Sequence, residues 1–256
     1  MNEKLSPKAI IFDLGSTLIE YDKIPWPELA IVCMKDVAKF LRKKNIEIPA
    51  DDDEFVAIFE TVKADFRKLA QDKFIEWSIP QAAEKLLKKL SLESSEVLID
   101  GMFDAYYKQV EKNLSIYDDT VSTLELCKEN GFTIGLVSNT IFPDMTHLKE
   151  LKRYKIDSYF DFTLFSSAFG VRKPHKDIFY KAVNLAGYAP SECVYIGDRY
   201  IEDVTGPQSI GMHAILKKLD KREYPEDMPN NIRTISTLSE IENHINFSHE
   251  TEEKIS

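Results

Sequence analysis

Two aspartates and a serine end short apolar runs, and with one lysine they form a set that could transfer a phosphoryl group. Asp13 follows "AIIF", Ser138 follows "IGLV", Asp198 follows "CVYIG", and Lys173 stands in "GVRKPHKDIF". Carboxylates that meet at one point repel each other, and a divalent cation such as Mg²⁺, which prefers oxygen ligands, offsets that repulsion. A hydroxyl and an ammonium can hold phosphate oxygens while an aspartate attacks phosphorus and forms an acyl-phosphate.

The elements that must position these residues are strands alternating with helices. Helical patterns occupy residues 119–130, 143–154, 176–186 and 201–210, and the predicted strands are "KAIIFDLG", "FTIGLVSN", "FDFTLFSS", "CVYIGD", "MHAILKK" and a late "IRTIS" before a terminal helix at "TLSEIENHI". This alternation predicts an α/β fold with a doubly wound, mostly parallel sheet. Ligands bind outside the carboxyl ends of such strands, where the set above would meet Asn139 and the loop 166–173.

The segment that follows the first strand has a different pattern. Four apolar stripes at helical spacing begin near Leu29, Phe55, Ile79 and Leu98, and Ser95 is a suitable cap for the last of them. We therefore predict two domains. Residues 1–18 and 116–256 form the α/β core, and residues 19–115 form an inserted helical-bundle cap domain.

Composition excludes several classes of protein. The 256 residues carry a formal net charge of −10, from 43 acidic and 33 basic residues, which argues against nucleic acid as a partner. A small anionic substrate remains compatible with a locally positive pocket. The three cysteines form no metal-binding cluster, no apolar run is long enough for a membrane span, and "AIIF" is too short for a signal peptide. We expect a cytoplasmic protein with no membrane contact, and no stretch indicates the oligomeric state.

In order along the chain, these motifs resemble those of the haloacid dehalogenase (HAD) superfamily of hydrolases. "IIFDLGST" is similar to the family's Asp-x-Asp-x-Thr motif, "IGLVSN" to its second motif, "GVRKPHKDIF" to its lysine motif and "YIGDRYIEDV" to Gly-Asp-x-x-x-x-Asp. The resemblance covers nearly the whole chain, because the helical insert corresponds to the family's cap. It implies a Rossmann-like fold and a Mg²⁺-dependent hydrolase, most simply a phosphatase of a small phosphorylated compound.

The resemblance also implies a role for each motif residue. Asp13 would be the nucleophile, and Lys173 would offset the negative charge around it. The remaining roles are phosphate binding and metal binding. Phosphate binding falls to Thr17, Ser138, Asn139 and Lys173, and Mg²⁺ binding falls to Asp13, Gly15 through its carbonyl, Asp198 and Asp203.

Gly15 is the departure from the family pattern, because the family's phosphatases carry a second aspartate there. That aspartate protonates the leaving alcohol and then activates water, and positioned proton transfer of this kind contributes roughly 10²–10⁴-fold. The sequence therefore predicts a metal site with weakened acid–base catalysis. Glu20 and Asp22, just beyond the motif, are the nearest acids that could substitute.

Three other functions remain open from the sequence. A haloacid dehalogenase needs no leaving-group acid, although that branch lacks the acidic motif kept here in "GDRYIED". The phosphonate-cleaving branch has a small residue at the position of Gly15 and uses a cap lysine, for which Lys63, Lys73 and Lys88 are examples. A non-catalytic protein that binds phosphate and Mg²⁺ is the third. The substrate itself cannot be read from the sequence.

Overall fold

The computed structural model describes residues 3–21 and 23–247. Asp22 and residues 248–256, part of a C-terminal tail expected to be unstructured, lie outside the described residues. Within them, the core of the molecule is a parallel sheet of six strands. The predicted α/β fold class, a doubly wound and mostly parallel sheet, is confirmed.

The strands are distributed over most of the described part of the chain. They are β1 (Ala9–Phe12), β2 (Ile19–Glu20), β3 (Ser115–Ile116), β4 (Thr133–Ser138), β5 (Phe162–Phe165), β6 (Cys193–Gly197), β7 (His213–Lys217) and β8 (Arg233–Ile235). The order in the sheet is β5-β4-β1-β6-β7-β8, whereas β2 and β3 form a separate antiparallel pair. All residues of β1 and β6 are buried, as their apolar, β-branched sequences require at the centre of a sheet covered on both faces.

Four long helices lie between β2 and β3. They are α1 (Trp26–Lys43), α2 (Asp52–Lys73), α3 (Ile79–Lys89) and α4 (Glu96–Lys112). Each of the predicted apolar stripes faces its neighbours, and the Ser95 side chain caps α4 by accepting the N–H of Leu98. The same buried apolar cluster extends from these helices to one face of the sheet. The division into two domains at residues 18/19 and 115/116 stays a prediction.

The remaining helices cover the sheet. They are α5 (Thr120–Glu129), α6 (Asp144–Arg153), α7 (Ser166–Phe169), α8 (Lys176–Ala186) and α9 (Gly206–Gln208). Among the described helices, none combines the length and the apolar character that crossing a membrane requires.

Three predicted elements are present in the structure but differ from the prediction in helix type or in boundary. The predicted helix 201–210 is a π-helix at Tyr200–Thr205 that leads into α9. Pro207 has no N–H to close a regular α-helical turn onto the carbonyl of Asp203. The strand expected through Ser167 ends at Phe165, and the terminal helix is a 3₁₀ segment at Leu238–Asn243, a form that is used in short pieces.

Candidate active site

Asp13, at the end of β1, lies together with Lys173 and Asp203 in the interior. Phe12 pairs with Leu136 of β4 and Ile196 of β6, so Asp13 leaves the sheet between its two central neighbours. Lys173 Nζ lies 2.8 Å from Asp13 Oδ1 and 2.6 Å from Asp203 Oδ1. All three side chains are almost fully buried. Lys173 therefore neutralises part of a doubly negative and largely buried site.

Two further hydrogen bonds, to Tyr195 and to the main chain, hold the Lys173 ammonium in place. The ammonium donates to the Tyr195 hydroxyl at 2.7 Å and to the Val137 carbonyl at 3.3 Å. Burial alone would lower the pKa of Lys173, but the charges of Asp13 and Asp203 outweigh it and hold that pKa well above its ordinary value. Lys173 is therefore a permanent cation in the site.

Three carboxylates form a cluster that could hold a metal ion. One oxygen from each of Asp13, Asp198 and Asp203 lies within 4.8 Å of the others. Burial raises the pKa of Asp13, against the opposing charge of Lys173. Burial, followed by the charges of Asp13 and Asp203, raises the pKa of Asp198 to about 8. These shifts indicate an excess of buried negative charge, which a divalent cation would relieve.

Asp198 and Asp203 already have protein partners. Arg222 Nη2 lies 2.7 Å from Asp198 Oδ2, and the Tyr224 hydroxyl donates to the Asp198 carbonyl at 3.1 Å. Asp203 Oδ2 accepts the N–H of Arg199 at 2.8 Å, which leaves its other oxygen to Lys173. A loop after β7 and the turn after β6 therefore orient the two acids of the fourth motif.

A cavity of about 220 Å³ opens beside Asp13. It is lined by residues of several elements, namely Asp13, Gly15, Ser16, Tyr21, Trp26, Glu76, Ser138, Asn139, Thr140, Ile141, Phe142, His147, Arg172, Lys173 and Arg199. Ser138 thus lies at the cavity wall, and its part in phosphate binding stays a prediction. The Asn139 amide is already bound to the Lys173 backbone, because its Oδ1 accepts the N–H at 2.7 Å and its Nδ2 donates to the carbonyl at 3.0 Å.

Thr17 is fully buried and does not line this cavity. Its hydroxyl donates to Asp13 Oδ2 at 3.3 Å, and its carbonyl accepts from Lys217 Nζ at 2.8 Å. The structure therefore brings Thr17 to the nucleophile's carboxylate rather than to the cavity surface, and its part in phosphate binding stays a prediction.

Gly15 faces the cavity next to an aromatic ring. A Cβ at Gly15 would lie 3.5 Å from Cδ2 of Tyr21, which is ordinary van der Waals contact. Glu20, expected as a possible substitute acid, does not line the cavity, and its carboxylate accepts from the Ser115 hydroxyl at 3.1 Å. The cap lysines Lys63, Lys73 and Lys88 are not among the lining residues either.

A buried polar chain forms the wall behind Tyr21. His147 Nδ1 lies 2.6 Å from Glu150 Oε2, and His147 Nε2 lies 2.6 Å from the Thr140 hydroxyl. The hydroxyls of Tyr21 and Tyr107 both donate to Glu150. Burial and then the Glu150 charge raise the pKa of each of these two tyrosines, so both stay protonated donors.

The segment between α2 and α3 closes another side of the cavity. The N–H of Glu76 donates to the Gly170 carbonyl at 3.0 Å, and the N–H of Arg172 donates to the Phe74 carbonyl at 2.9 Å. The Glu76 carboxylate accepts from the Ser166 hydroxyl at 2.7 Å and lies 3.5 Å from Arg172 Nη1. Chiefly through burial, the pKa of Glu76 is raised.

Sequence reasoning missed several residues that lie in the cavity wall or directly behind it. Arg172 directly precedes Lys173, and Arg199 directly follows Asp198. Their position next to motif residues was the available signal in the sequence. His147 and Glu150 have only an i,i+3 spacing on α6, and Glu76 belongs to no motif. Contacts over distant parts of the chain bring these residues to the site.

Comparison with known proteins agrees with the motifs and the sheet. A family model described as haloacid dehalogenase-like hydrolase matches residues 7–211. Glyceraldehyde 3-phosphate phosphatase from Methanopyrus kandleri is 25% identical over 224 residues, which cover 88% of this chain and 88% of that protein.

Solved structures show the same likeness. A HAD phosphatase from Thermococcus onnurineus has a TM-score of 0.64 at 25% identity, over 92% of this chain and 96% of the other. A 2-haloacid dehalogenase from Pseudomonas syringae pv. Tomato DC3000 has a TM-score of 0.69 at 23% identity, over 93% and 97% of the two chains, which shows a shared fold. Because the family model spans most of the chain, the protein belongs to the haloacid dehalogenase-like hydrolases.

Proposed function

We propose that the protein is a Mg²⁺-dependent phosphatase that hydrolyses a small phosphorylated metabolite through an aspartyl-phosphate on Asp13. The observation that carries the proposal is the position of the Asp13 carboxylate, at the cavity wall and 2.8 Å from the Lys173 ammonium. The name of the M. kandleri relative, a phosphatase of a three-carbon phosphate ester, supports the same reaction class.

The donor set fits Mg²⁺. Asp13, Asp198 and Asp203 offer carboxylate oxygens within 4.8 Å of one another, and Mg²⁺ takes oxygen ligands while keeping waters that a phosphate can replace. The Gly15 carbonyl is the fourth protein ligand we propose. When bound, Mg²⁺ supplies charge that draws the phosphate towards Asp13 and stabilises the negative charge of the transition state.

The chain's own residues carry out the covalent steps. An Asp13 carboxylate oxygen attacks phosphorus, the bond from phosphorus to the ester oxygen breaks, and the alcohol leaves with a proton. Water then attacks the phosphorus of the aspartyl-phosphate, which releases inorganic phosphate and regenerates Asp13. Lys173 and Ser138 hold the phosphoryl oxygens during both steps, and Thr17 orients the Asp13 carboxylate.

Cavity size and charge favour a small anionic substrate. A volume of about 220 Å³ suits a compact ester. Arg172 and Arg199 add positive charge to that of Lys173 at the wall, and Trp26 supplies an apolar surface. We therefore propose a short phosphorylated metabolite as the substrate, with a small non-phosphate part.

Phosphate release from para-nitrophenyl phosphate with Mg²⁺ tests the proposal. We expect Asp13→Asn and Asp198→Asn to lower turnover by at least about 10³-fold, because one removes the nucleophile and the other a metal ligand. Asp177→Asn, on the exposed start of α8, is the matched control. Equal rates in wild type and both site variants rule out the mechanism.

Assays with other substrates separate the alternative functions. Halide release from a 2-haloacid without added metal would identify a dehalogenase, and cleavage of a phosphonate would identify a carbon–phosphorus hydrolase. Mg²⁺-dependent binding of phosphate without turnover would identify a binding protein. A second readout is the melting temperature, which Mg²⁺ should raise in wild type, since a ligand that binds only the folded state stabilises it. Asp198→Asn should remove that rise.

A further inference from the structure

We propose that Thr140, His147 and Glu150 form a hydroxyl–imidazole–carboxylate relay that carries the proton which a carboxyl group at Gly15 would otherwise supply. The inference rests on the proposed phosphatase function and names the acid–base group of the same site. All three side chains are buried, and Thr140 and His147 line the cavity together with Asp13 and Gly15.

The hydrogen bonds of the relay are continuous. His147 Nδ1 lies 2.6 Å from Glu150 Oε2, and His147 Nε2 lies 2.6 Å from Thr140 Oγ1. Thr140 Oγ1 also accepts the N–H of Phe142 at 3.0 Å. A hydroxyl has one donor hydrogen and two acceptor sites. When His147 is protonated at both nitrogens, both acceptor sites are filled, and the Thr140 hydrogen is left to donate into the cavity.

Glu150 lies at the end of the hydrogen-bonded chain, behind the His147 ring. Its carboxylate accepts from the hydroxyls of Tyr21 and Tyr107 in addition to His147 Nδ1. Burial and then the Glu150 charge raise the pKa of both tyrosines, so they remain donors. The Glu150 carboxylate thus accepts from three side chains, and it lies directly against the ring nitrogen on the side of the imidazole opposite to Thr140.

Tyr21 connects the relay to the position of the missing carboxyl. The Tyr21 ring is 3.5 Å from where a Gly15 Cβ would stand, and the Tyr21 hydroxyl is 3.3 Å from His147 Nδ1. Thr140 is two residues beyond Ser138, and its N–H donates to the Ser166 hydroxyl at 2.8 Å. The same wall therefore holds the predicted phosphate ligand Ser138 and the proposed proton donor.

The proton balance closes over one turnover. As Asp13 attacks phosphorus, the leaving oxygen takes the Thr140 hydroxyl proton, and Thr140 takes the Nε2 proton of the His147 imidazolium. Neutral His147 then accepts a proton through Thr140 from the water that attacks the aspartyl-phosphate. The imidazolium and Asp13 are restored, and the net reaction is ester plus water to alcohol plus phosphate.

A series of substituted phenyl phosphates, from nitrophenyl to unsubstituted phenyl, tests the relay. Nitrophenolate leaves without a proton, whereas a poorer leaving group needs one. We expect His147→Gln to lower kcat/KM by less than about 5-fold for the nitrophenyl ester and by about 10²-fold for the phenyl ester. The dependence of kcat/KM on the acidity of the leaving group should therefore become steeper than in wild type. We use kcat/KM because it reports on this first half of the reaction, up to loss of the leaving group.

Variants at Thr140 and Gly15 make the test specific. Thr140→Val should steepen the dependence in the same way, and Thr140→Ser, which keeps the hydroxyl, should restore it. Gly15→Asp, whose Cβ meets only ordinary contact, should return the shallow dependence of kcat/KM on leaving-group acidity to the His147→Gln background. His213→Gln, an exposed histidine on β7, is the control.

A purely structural role for the buried chain predicts a different result. His147→Gln would then lower kcat/KM equally for every ester, together with the melting temperature, and that result overturns the relay. A wild-type dependence already as steep as that of His147→Gln overturns it as well. If Asp13→Asn retains wild-type turnover, the proposed function fails, whereas abolished turnover in Asp13→Asn with an unchanged leaving-group dependence in His147→Gln refutes the relay alone.

Discussion

The ammonium of Lys173 lies 2.8 Å from the Asp13 carboxylate, and the two side chains are only 2% and 9% exposed. They are 160 residues apart in the sequence, yet parallel pairing of β1 with β4 and of β4 with β5 brings the segments that follow β1 and β5 to the same edge of the sheet. Taking charges out of water is costly, and the mutual attraction repays that cost only when geometry and extra hydrogen bonds are good. Tyr195 and Asp203 supply those bonds here.

Replacing Lys173 should therefore destabilise the fold as well as remove activity. Lys173→Met leaves Asp13 and Asp203 buried without their cation, and breaking a buried pair in this way costs about 3–5 kcal/mol. Urea unfolding followed by circular dichroism measures the loss. Lys176→Met, at an exposed neighbouring position, is the control. A loss below about 1 kcal/mol, the range of surface pairs, would contradict the importance of this buried pair.

Lys217 gives a pH prediction with a defined sign. The side chain is buried, its Nζ donates to the Thr17 carbonyl at 2.8 Å, and burial lowers the pKa of Lys217 to about 8. An unfolded lysine has a pKa of about 10.4. Between these values the unfolded chain binds more protons, so this group makes the free energy of unfolding rise as pH increases.

The measurement is urea unfolding of wild type and Lys217→Met at several pH values from 8 to 10. The free energy of unfolding of wild type should gain on that of Lys217→Met as the pH rises through this window, since methionine has no proton to lose. Lys181→Met, an exposed lysine on α8, should follow the wild-type slope. Parallel curves for wild type and Lys217→Met would show that burial does not shift the titration of Lys217.

Sequence patterns predicted the part of the site that lies at strand ends. Asp13, Ser138 and Asp198 follow β-branched apolar runs, and such runs become central strands whose carboxyl ends meet. The wall around Gly15 was not predicted because it depends on tertiary packing. Tyr21 meets Glu150 across 129 residues, and Glu76 meets Ser166 across 90. No local periodicity carries information about such contacts.

Glu76 should hold the segment between α2 and α3 against the segment that runs from Ser166 to Arg172. Glu76→Ala removes the acceptor of the Ser166 hydroxyl and the partner of Arg172, and an unsatisfied buried polar group costs about 1–3 kcal/mol. We expect faster hydrogen exchange at the amides of residue 76 and Arg172, which bond across this junction. Glu47→Ala, at an exposed site, is the control. Unchanged exchange at both amides would show that the backbone bonds hold the segment without Glu76.

Gly197 is expected to tolerate no side chain, because Asp203 passes directly over it. A Cβ at Gly197 would lie 2.4 Å from Asp203 Cγ, and the Asp203 carboxylate cannot swing away without leaving Lys173 and the Arg199 N–H. Gly197→Ala should therefore cost about 1–3 kcal/mol, the range for overpacked sites, and lower phosphate release by displacing a proposed metal ligand. Gly15→Ala is the matched comparison for stability, because its Cβ would stand 3.5 Å from Tyr21. Equal urea midpoints for the two variants would mean that Asp203 can move, and that its bond to Lys173 does not fix it in place.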